Sequence, residues 1–118
     1  MTKSDIIRRC FAAYASKDRD AIEELLAADF TFTSPYDDRI DKATYLERCW
    51  PNSERIVAHD IERIFEQGNA AFATYKCLTR EGTEFRNTEF FTFAGERIKS
   101  VDVYFGAAYR GGVFSKAR

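Results

Sequence analysis

From residue 56 onward the chain is broken by tight turns at nearly even spacing, and this punctuation limits the fold more than any other feature. Ile56 to Gln67 reads as a strand ending at Gly68-Asn69, and Ala70 to Thr79 as a strand ending at Glu81-Gly82. Glu84 to Phe93 leads to Ala94-Gly95-Glu96, and Arg97 to Phe105 ends at Gly106. Parallel neighbours need crossovers of about a dozen residues or more, so strands joined this closely form an antiparallel meander.

The first half carries the helices. From an N-cap at Ser4 or Asp5, the residues Ile7, Cys10, Phe11 and Tyr14 recur on one helical face. Ser16-Lys17-Asp18 breaks that pattern, and a second helix opens near Asp20 with Glu23 three residues on, burying Ile22, Leu25 and Leu26. Phe30-Thr31-Phe32-Thr33 alternates as a short strand closed by Ser34-Pro35, and Asp37-Asp38-Arg39 reads as a solvated loop. A third helix runs from Asp41 to Trp50 and stops at Pro51-Asn52-Ser53. Three helices followed by a meander make an α+β domain with the helices on one sheet face. The chain fits one domain over 1–118, with a core from about 4 to 106 and a tail from Ala107 to Arg118 expected to be poorly ordered.

Composition removes several function classes. Eighteen Lys and Arg against nineteen Asp and Glu leave a net charge of −1, which disfavours a nucleic-acid or anionic-membrane surface. No window approaches the ~18 apolar residues of a membrane span. Three scattered cysteines and an N-terminus without an apolar stretch read as reduced thiols in a cytoplasmic protein. One histidine and no carboxylate cluster give no metal site, and no cofactor is expected. Aromatics at 15%, eleven of them Phe, suggest a thick core or an aromatic-lined cavity that takes a small apolar ligand.

The turn at Glu81-Gly82 sets an expected register. If those two residues form the loop, Leu78 faces Phe85, Lys76 faces Asn87 and Thr74 faces Glu89. Phe72, Thr74, Lys76, Leu78, Phe85, Asn87, Glu89, Phe91 and Phe93 then share one face, and a slip of one residue would mix the sets. On that face Lys76 and Glu89 are diagonal neighbours, either a pocket acid/base pair or an exposed ladder. The opposite face, with Tyr75, Cys77, Phe90, Thr92 and Tyr104, is the expected homodimer surface.

The order Asp18-Arg19-Asp20, Leu25-Leu26-Ala27-Ala28-Asp29-Phe30, Ser34-Pro35 resembles the opening of SnoaL-like domains. The closing Asn87-Thr88-Glu89-Phe90-Phe91-Thr92-Phe93, Arg97-Ile98 and Val103-Tyr104-Phe105-Gly106 is similar to theirs as well. These domains belong to the superfamily of nuclear transport factor 2 and ketosteroid isomerase. The resemblance implies a cone-shaped, cystatin-like fold, a curved sheet wrapped by three helices around an apolar cavity, usually as a homodimer. Its enzymes are cofactor-independent isomerases, cyclases and dehydratases, although many members are not catalytic. Ketosteroid isomerase uses an Asp base with a Tyr and a protonated Asp as oxyanion hole. The resemblance puts Glu89 at the protonated acid, Cys10 at the Tyr and Ser34 at the base, so two of those three roles are missing. Glu89 is therefore the expected acid/base on a carbonyl-bearing ligand, oriented by Lys76 and Asn87. Cys10, Tyr14, Phe32, Trp50, Phe72, Thr74, Phe91 and Val103 are the expected cavity wall. The alternative is a ligand-binding or dimerisation module without turnover. His59, beside Asp60, is expected at the rim or on the outer face.

Overall fold

The computed structural model describes residues 1–116. In chain order it comprises α1 (Lys3–Ser16), α2 (Arg19–Leu25), β1 (Leu26–Ser34), β2 (Asp37–Asp41) and α3 (Lys42–Arg48). A 3-10 turn over Trp50–Arg55 leads into β3 (Ile56–Gln67), β4 (Ala70–Thr79), β5 (Thr83–Ala94), β6 (Arg97–Arg110) and β7 (Val113–Ser115). The strands lie in the order β2-β1-β6-β5-β4-β3, with β7 on β6, and form a curved, unclosed mixed sheet.

Side-chain caps start each helix. Thr2 and Asp5 close a reciprocal capping box on α1, so that helix begins two residues earlier than Ser4 suggests. Asp18 caps α2 through the Ala21 amide at 3.1 Å, and Asp41 caps α3 through the Thr44 amide at 2.9 Å. At the junction of α2 and β1, the Lys42 ammonium donates to the carbonyls of Glu23 at 2.7 Å and Leu26 at 3.0 Å. It thereby satisfies acceptors that a helix end leaves open. Ile6, Ile7 and Phe11 of α1, Ile22 of α2 and Tyr45 and Leu46 of α3 bury against Phe30, Ala73, Phe91, Ile98 and Val101 of the sheet.

The sheet departs from the sequence expectation at four places, each with a local cause. Strand β1 joins β6 in parallel, Phe32 opposite Val101, which short turns do not forbid because most of the chain separates the two strands. Asp37–Asp41 is a strand and not a loop; it folds back on β1 as a polar edge whose charges hide the usual apolar alternation. Gly106 does not end β6. The ladder slips there, and a Cβ on Gly106 would lie 2.5 Å from the Arg86 carbonyl oxygen, so the glycine marks a close backbone approach inside a continuing strand. Beyond it, Gly111-Gly112, both at positive φ, turn the chain into β7. The expected disordered tail is ordered through residue 116, and its last two residues lie outside the described part.

The fourth departure bears on function. The β4–β5 loop has three residues, Arg80, Glu81 and Gly82, closed by the Gly82 amide to the Thr79 carbonyl at 3.0 Å. The Thr79 hydroxyl donates to the Thr83 carbonyl and accepts from the Thr83 amide. The register therefore pairs Ala73 with Glu89, Tyr75 with Asn87 and Lys76 with Arg86, one residue away from the two-residue turn. Tyr75 and Cys77 turn inward and are buried, while Phe72, Thr74 and Lys76 turn to the outer face.

Candidate functional site

Between the inner sheet face and helices α1 and α3 lies a cavity of about 260 Å³. Aromatic rings form much of its wall. Phe11 and Tyr14 come from α1, Phe30 and Phe32 from β1, and Tyr45 from α3. Tyr75, Phe85, Phe91 and Val103 complete it from the sheet. Tyr36, which is exposed, packs edge-on with Phe105 at 5.5 Å, and both border the same space.

Two acids border this cavity, Asp37, which pairs with Arg48, and Glu89, whose environment is specific. The Tyr75 hydroxyl donates to Glu89 Oε2 at 2.5 Å, and Asn87 Nδ2 donates to the Tyr75 hydroxyl at 3.0 Å. Pairing of Tyr75 with Asn87 across the β4–β5 ladder, with Glu89 two residues further on, makes this relay a direct product of the register. Burial raises the Glu89 pKa from 4.5 to about 7, and the Tyr75 bond, which favours the carboxylate, only partly opposes it. Burial, followed by the Glu89 charge, pushes the Tyr75 phenol well above its ordinary value. Glu89 therefore exchanges a proton near neutral pH, the condition in which a carboxyl group works best as acid and base.

A second polar group shares the cavity. Strand β3 bulges at Val57 and again at Glu62, which turns His59 and Ile61 inward in place of Asp60. The imidazole sits edge-on among Phe11 at 4.9 Å, Tyr75 at 5.4 Å and Tyr14 at 6.4 Å. Burial, with a further contribution from Lys17, lowers its pKa from 6.5 to about 4, so it is uncharged at neutral pH. His59 Nδ1 is buried without a hydrogen-bond partner. A buried, unsatisfied group of this kind costs about 1–3 kcal/mol. Several other polar groups of the wall are paired. The phenols of Tyr14 and Tyr45 bond one another, and Asp37 Oδ1 lies 2.7 Å from Arg48. Burial raises the thiols of Cys10 and Cys49, the latter to about 11, which makes both poor nucleophiles.

Of the residues expected from sequence, Glu89, Asn87, Cys10, Tyr14, Phe32, Phe91 and Val103 border the cavity. Five expectations are corrected. Lys76 pairs across the ladder with Arg86 on the outer face and lies 3.6 Å from Glu84, so it neither orients Glu89 nor touches the cavity. Thr74 bonds the Thr88 hydroxyl on that same outer face, and Phe72 packs on Phe90 there at 4.7 Å. Trp50 packs edge-on behind Tyr14 at 4.8 Å instead of lining the cavity. His59 moves from an expected rim position into the wall. Tyr75 was missed for the reason that misplaced Lys76, the one-residue register slip. The bulges that aim His59 have no mark in the sequence, because Val57 and Glu62 are ordinary strand residues.

Three helices on one face of a curved mixed sheet, enclosing an aromatic cavity with a buried carboxyl held by a phenol, define a class of small cavity-bearing α+β domains. The SnoaL-like domain model matches residues 7–101, and the chain belongs to that family. A crystal structure from Kribbella flavida is similar at a TM-score of 0.77 and 22% identity, over 86% of this chain and 84% of that one. A candidate polyketide cyclase from Sinorhizobium meliloti matches at 0.71 and 23% identity, over 85% and 94%. A protein with a ketosteroid isomerase-like fold from Catenulispora acidiphila, solved with trimethylamine, matches at 0.71 and 18%, over 89% and 88%. These identities carry the fold alone. No curated protein matches the sequence significantly. No described helix is long and apolar enough to cross a membrane.

Proposed function

We propose that the protein binds a small, largely apolar, carbonyl-bearing molecule and catalyses a proton shift on it with Glu89 as acid and base. The observation that carries this reading is a carboxyl group poised near pH 7 inside an aromatic cavity and held by the Asn87–Tyr75 relay. In its ionised form Glu89 takes a proton from the carbon beside the carbonyl. The resulting enolate oxygen needs a donor. Of the mutually bonded phenols Tyr14 and Tyr45, one hydroxyl proton is used between them and the other is free to meet that oxygen. Glu89 then returns the proton to a different carbon, giving an isomer, or to a departing hydroxyl, giving a dehydrated product.

A nitrobenzisoxazole is a suitable probe, being flat, uncharged and small. A carboxylate that removes its ring C–H proton breaks the N–O bond and releases a coloured cyanophenolate, with no other reactant required. The wild type is expected to accelerate this elimination over buffer, with a rate that rises through pH of about 7. Glu89→Gln should lower kcat/KM by about a hundredfold. A wild-type rate equal to buffer refutes the catalytic reading. Binding without turnover would favour the alternative, a non-catalytic ligand-binding module.

The second part of the proposal is a homodimer through the outer sheet face. Phe72 and Tyr104 are exposed there, and Phe72 packs at a tilt against Phe90. This apolar strip is bordered by the Arg86–Glu62 and Lys76–Glu84 ion pairs. Light scattering at micromolar concentration should give twice the 13.6 kDa chain mass, and Phe72→Glu should return it to a single chain. A wild-type particle of one chain overturns this part.

A further inference from the structure

Glu89 accounts for one polar contact, but the cavity contains a second group that the proton shift does not use. His59 is turned inward by two bulges and fixed by three rings whose edges and faces cannot satisfy a nitrogen lone pair. Among the described residues, two buried polar side-chain atoms lack a hydrogen bond, Asp37 Oδ1 and His59 Nδ1. The first is compensated by the Arg48 guanidinium at 2.7 Å, so His59 alone has an unmet need. Tyr75 ties it to the site, with its ring against the imidazole and its hydroxyl on Glu89.

We propose that His59 is a specificity-determining hydrogen-bond acceptor for the ligand. It would make the ligand class small, flat, uncharged molecules that carry a carbonyl for Glu89 and a hydroxyl or N–H donor for His59. The inference rests on the reading of this cavity as the binding site. Because the imidazole stays uncharged through the neutral range, it offers a lone pair and an N–H instead of a positive charge. An anionic ligand is disfavoured on the same grounds. Arg55, the cation among the described lining residues, is engaged with Glu81 at 2.8 Å. A bound anion would therefore lose its hydration in an aromatic-rich cavity with no free cation among those residues to pair it. The size limit follows from about 260 Å³, just under the range of drug-sized pockets, which leaves room for about one substituted ring.

The test uses acetophenone, which has the carbonyl alone, the meta and para hydroxyacetophenones, which add one donor, and para-hydroxybenzoate, which is an anion. Binding is measured by calorimetry at pH 6 to the wild type, His59→Phe, His59→Gln and Glu89→Gln. The better hydroxyacetophenone is expected to bind the wild type about tenfold more tightly than acetophenone, and the benzoate at least tenfold more weakly. His59→Phe keeps the aromatic packing and should abolish the preference for the hydroxyl-bearing probe. His59→Gln retains an amide acceptor and should restore part of that preference. Loss of a merely structural residue would weaken both ketones alike and leave their ratio unchanged. If the wild type binds the two ketones equally, or if the preference survives in His59→Phe, the role of His59 is overturned while the cavity reading stands. If no ketone binds the wild type, the cavity reading fails and this inference fails with it. Glu89→Gln separates the two, because it should weaken both ketones while keeping the ratio that His59 sets.

Discussion

At pH 8, Glu89→Gln is expected to make the protein more stable by about 3 kcal/mol, and at pH 4 to leave its stability nearly unchanged. The unfolded chain releases the Glu89 proton near 4.5, whereas the folded chain holds it to about 7. Between those values the native state binds more protons than the unfolded state, so stability falls as pH rises. Above 7 the whole loss is present. A change from 4.5 to about 7, at about 1.36 kcal/mol per tenfold, sets its size. Gln has the shape of the protonated acid, accepts the Tyr75 hydroxyl and never ionises, so it removes the loss. Several exposed carboxylates, among them Glu62 beside Arg86 and Glu81 beside Arg55, also change stability with pH. They do so equally in both proteins and cancel in the difference. Urea unfolding of the pair at pH 4 and pH 8 is the measurement. A pH-independent difference between the two would mean that Glu89 is solvated and ionises as an ordinary glutamate. The same result would remove the basis for its role in proton transfer, because stability and activity here draw on one cause, the desolvated carboxyl.

The parts of this architecture legible in the sequence are those set by local chemistry. Turn residues at Gly68-Asn69 and Ala94-Gly95-Glu96 bound β3, β4 and β5 to within a residue, because positive φ at Gly68 and Gly95 leaves little choice of residue. Helical periodicity placed Phe11, Cys10 and Tyr14 on one inward face of α1. Register is different in kind. Glu81-Gly82 suits a two-residue loop, but Thr79 on one side and Thr83 on the other exchange hydrogen bonds across a three-residue one. Both loops leave Glu89, Asn87 and Phe91 on one face, since β5 alternates with itself. Only the partner strand changes face. The expected register left that face open between cavity and solvent, and the family resemblance put Glu89 in the cavity. The register then paired it with the wrong neighbour, Lys76 in place of Tyr75. That exchange alters the chemistry, since a phenol holds a carboxyl by a hydrogen bond without fixing its charge, whereas an ammonium would have kept it ionised. Gly106 carries the complementary lesson. A glycine ends a strand or permits a close backbone approach within one, and the two differ only in what lies opposite, here the Arg86 carbonyl.

His59→Phe should show the opposite pH dependence, and this makes it the sharper test of the cavity's electrostatics. The unfolded chain takes up the His59 proton near 6.5, but the folded chain resists until about 4. In that interval the unfolded state binds more protons, so the native protein loses stability as pH falls, by about 3 kcal/mol once pH reaches 4. Phe retains the edge-on contacts with Phe11, Tyr14 and Tyr75 and carries no titrating group. The gain over the wild type should therefore be about 3 kcal/mol larger at pH 4 than at pH 8, where only the relief of the unpaired Nδ1 remains. The two effects also meet in a way neither shows alone. Between about 4.5 and 6.5 the native state holds a protonated Glu89 and an uncharged His59, while the unfolded chain carries a carboxylate and an imidazolium. Folding then moves one proton from histidine to glutamate with no net uptake, so the pair adds no slope to the wild-type stability profile in that range. Removing either partner exposes the other. Glu89→Gln should make stability rise with pH relative to the wild type, His59→Phe should make it fall, and the double variant should run parallel to the wild type. Urea unfolding of all four proteins at pH 4.5, 5.5 and 6.5 resolves these slopes. If His59→Phe follows the wild-type profile throughout, the imidazole is solvated in the folded protein and titrates as it does in the unfolded chain.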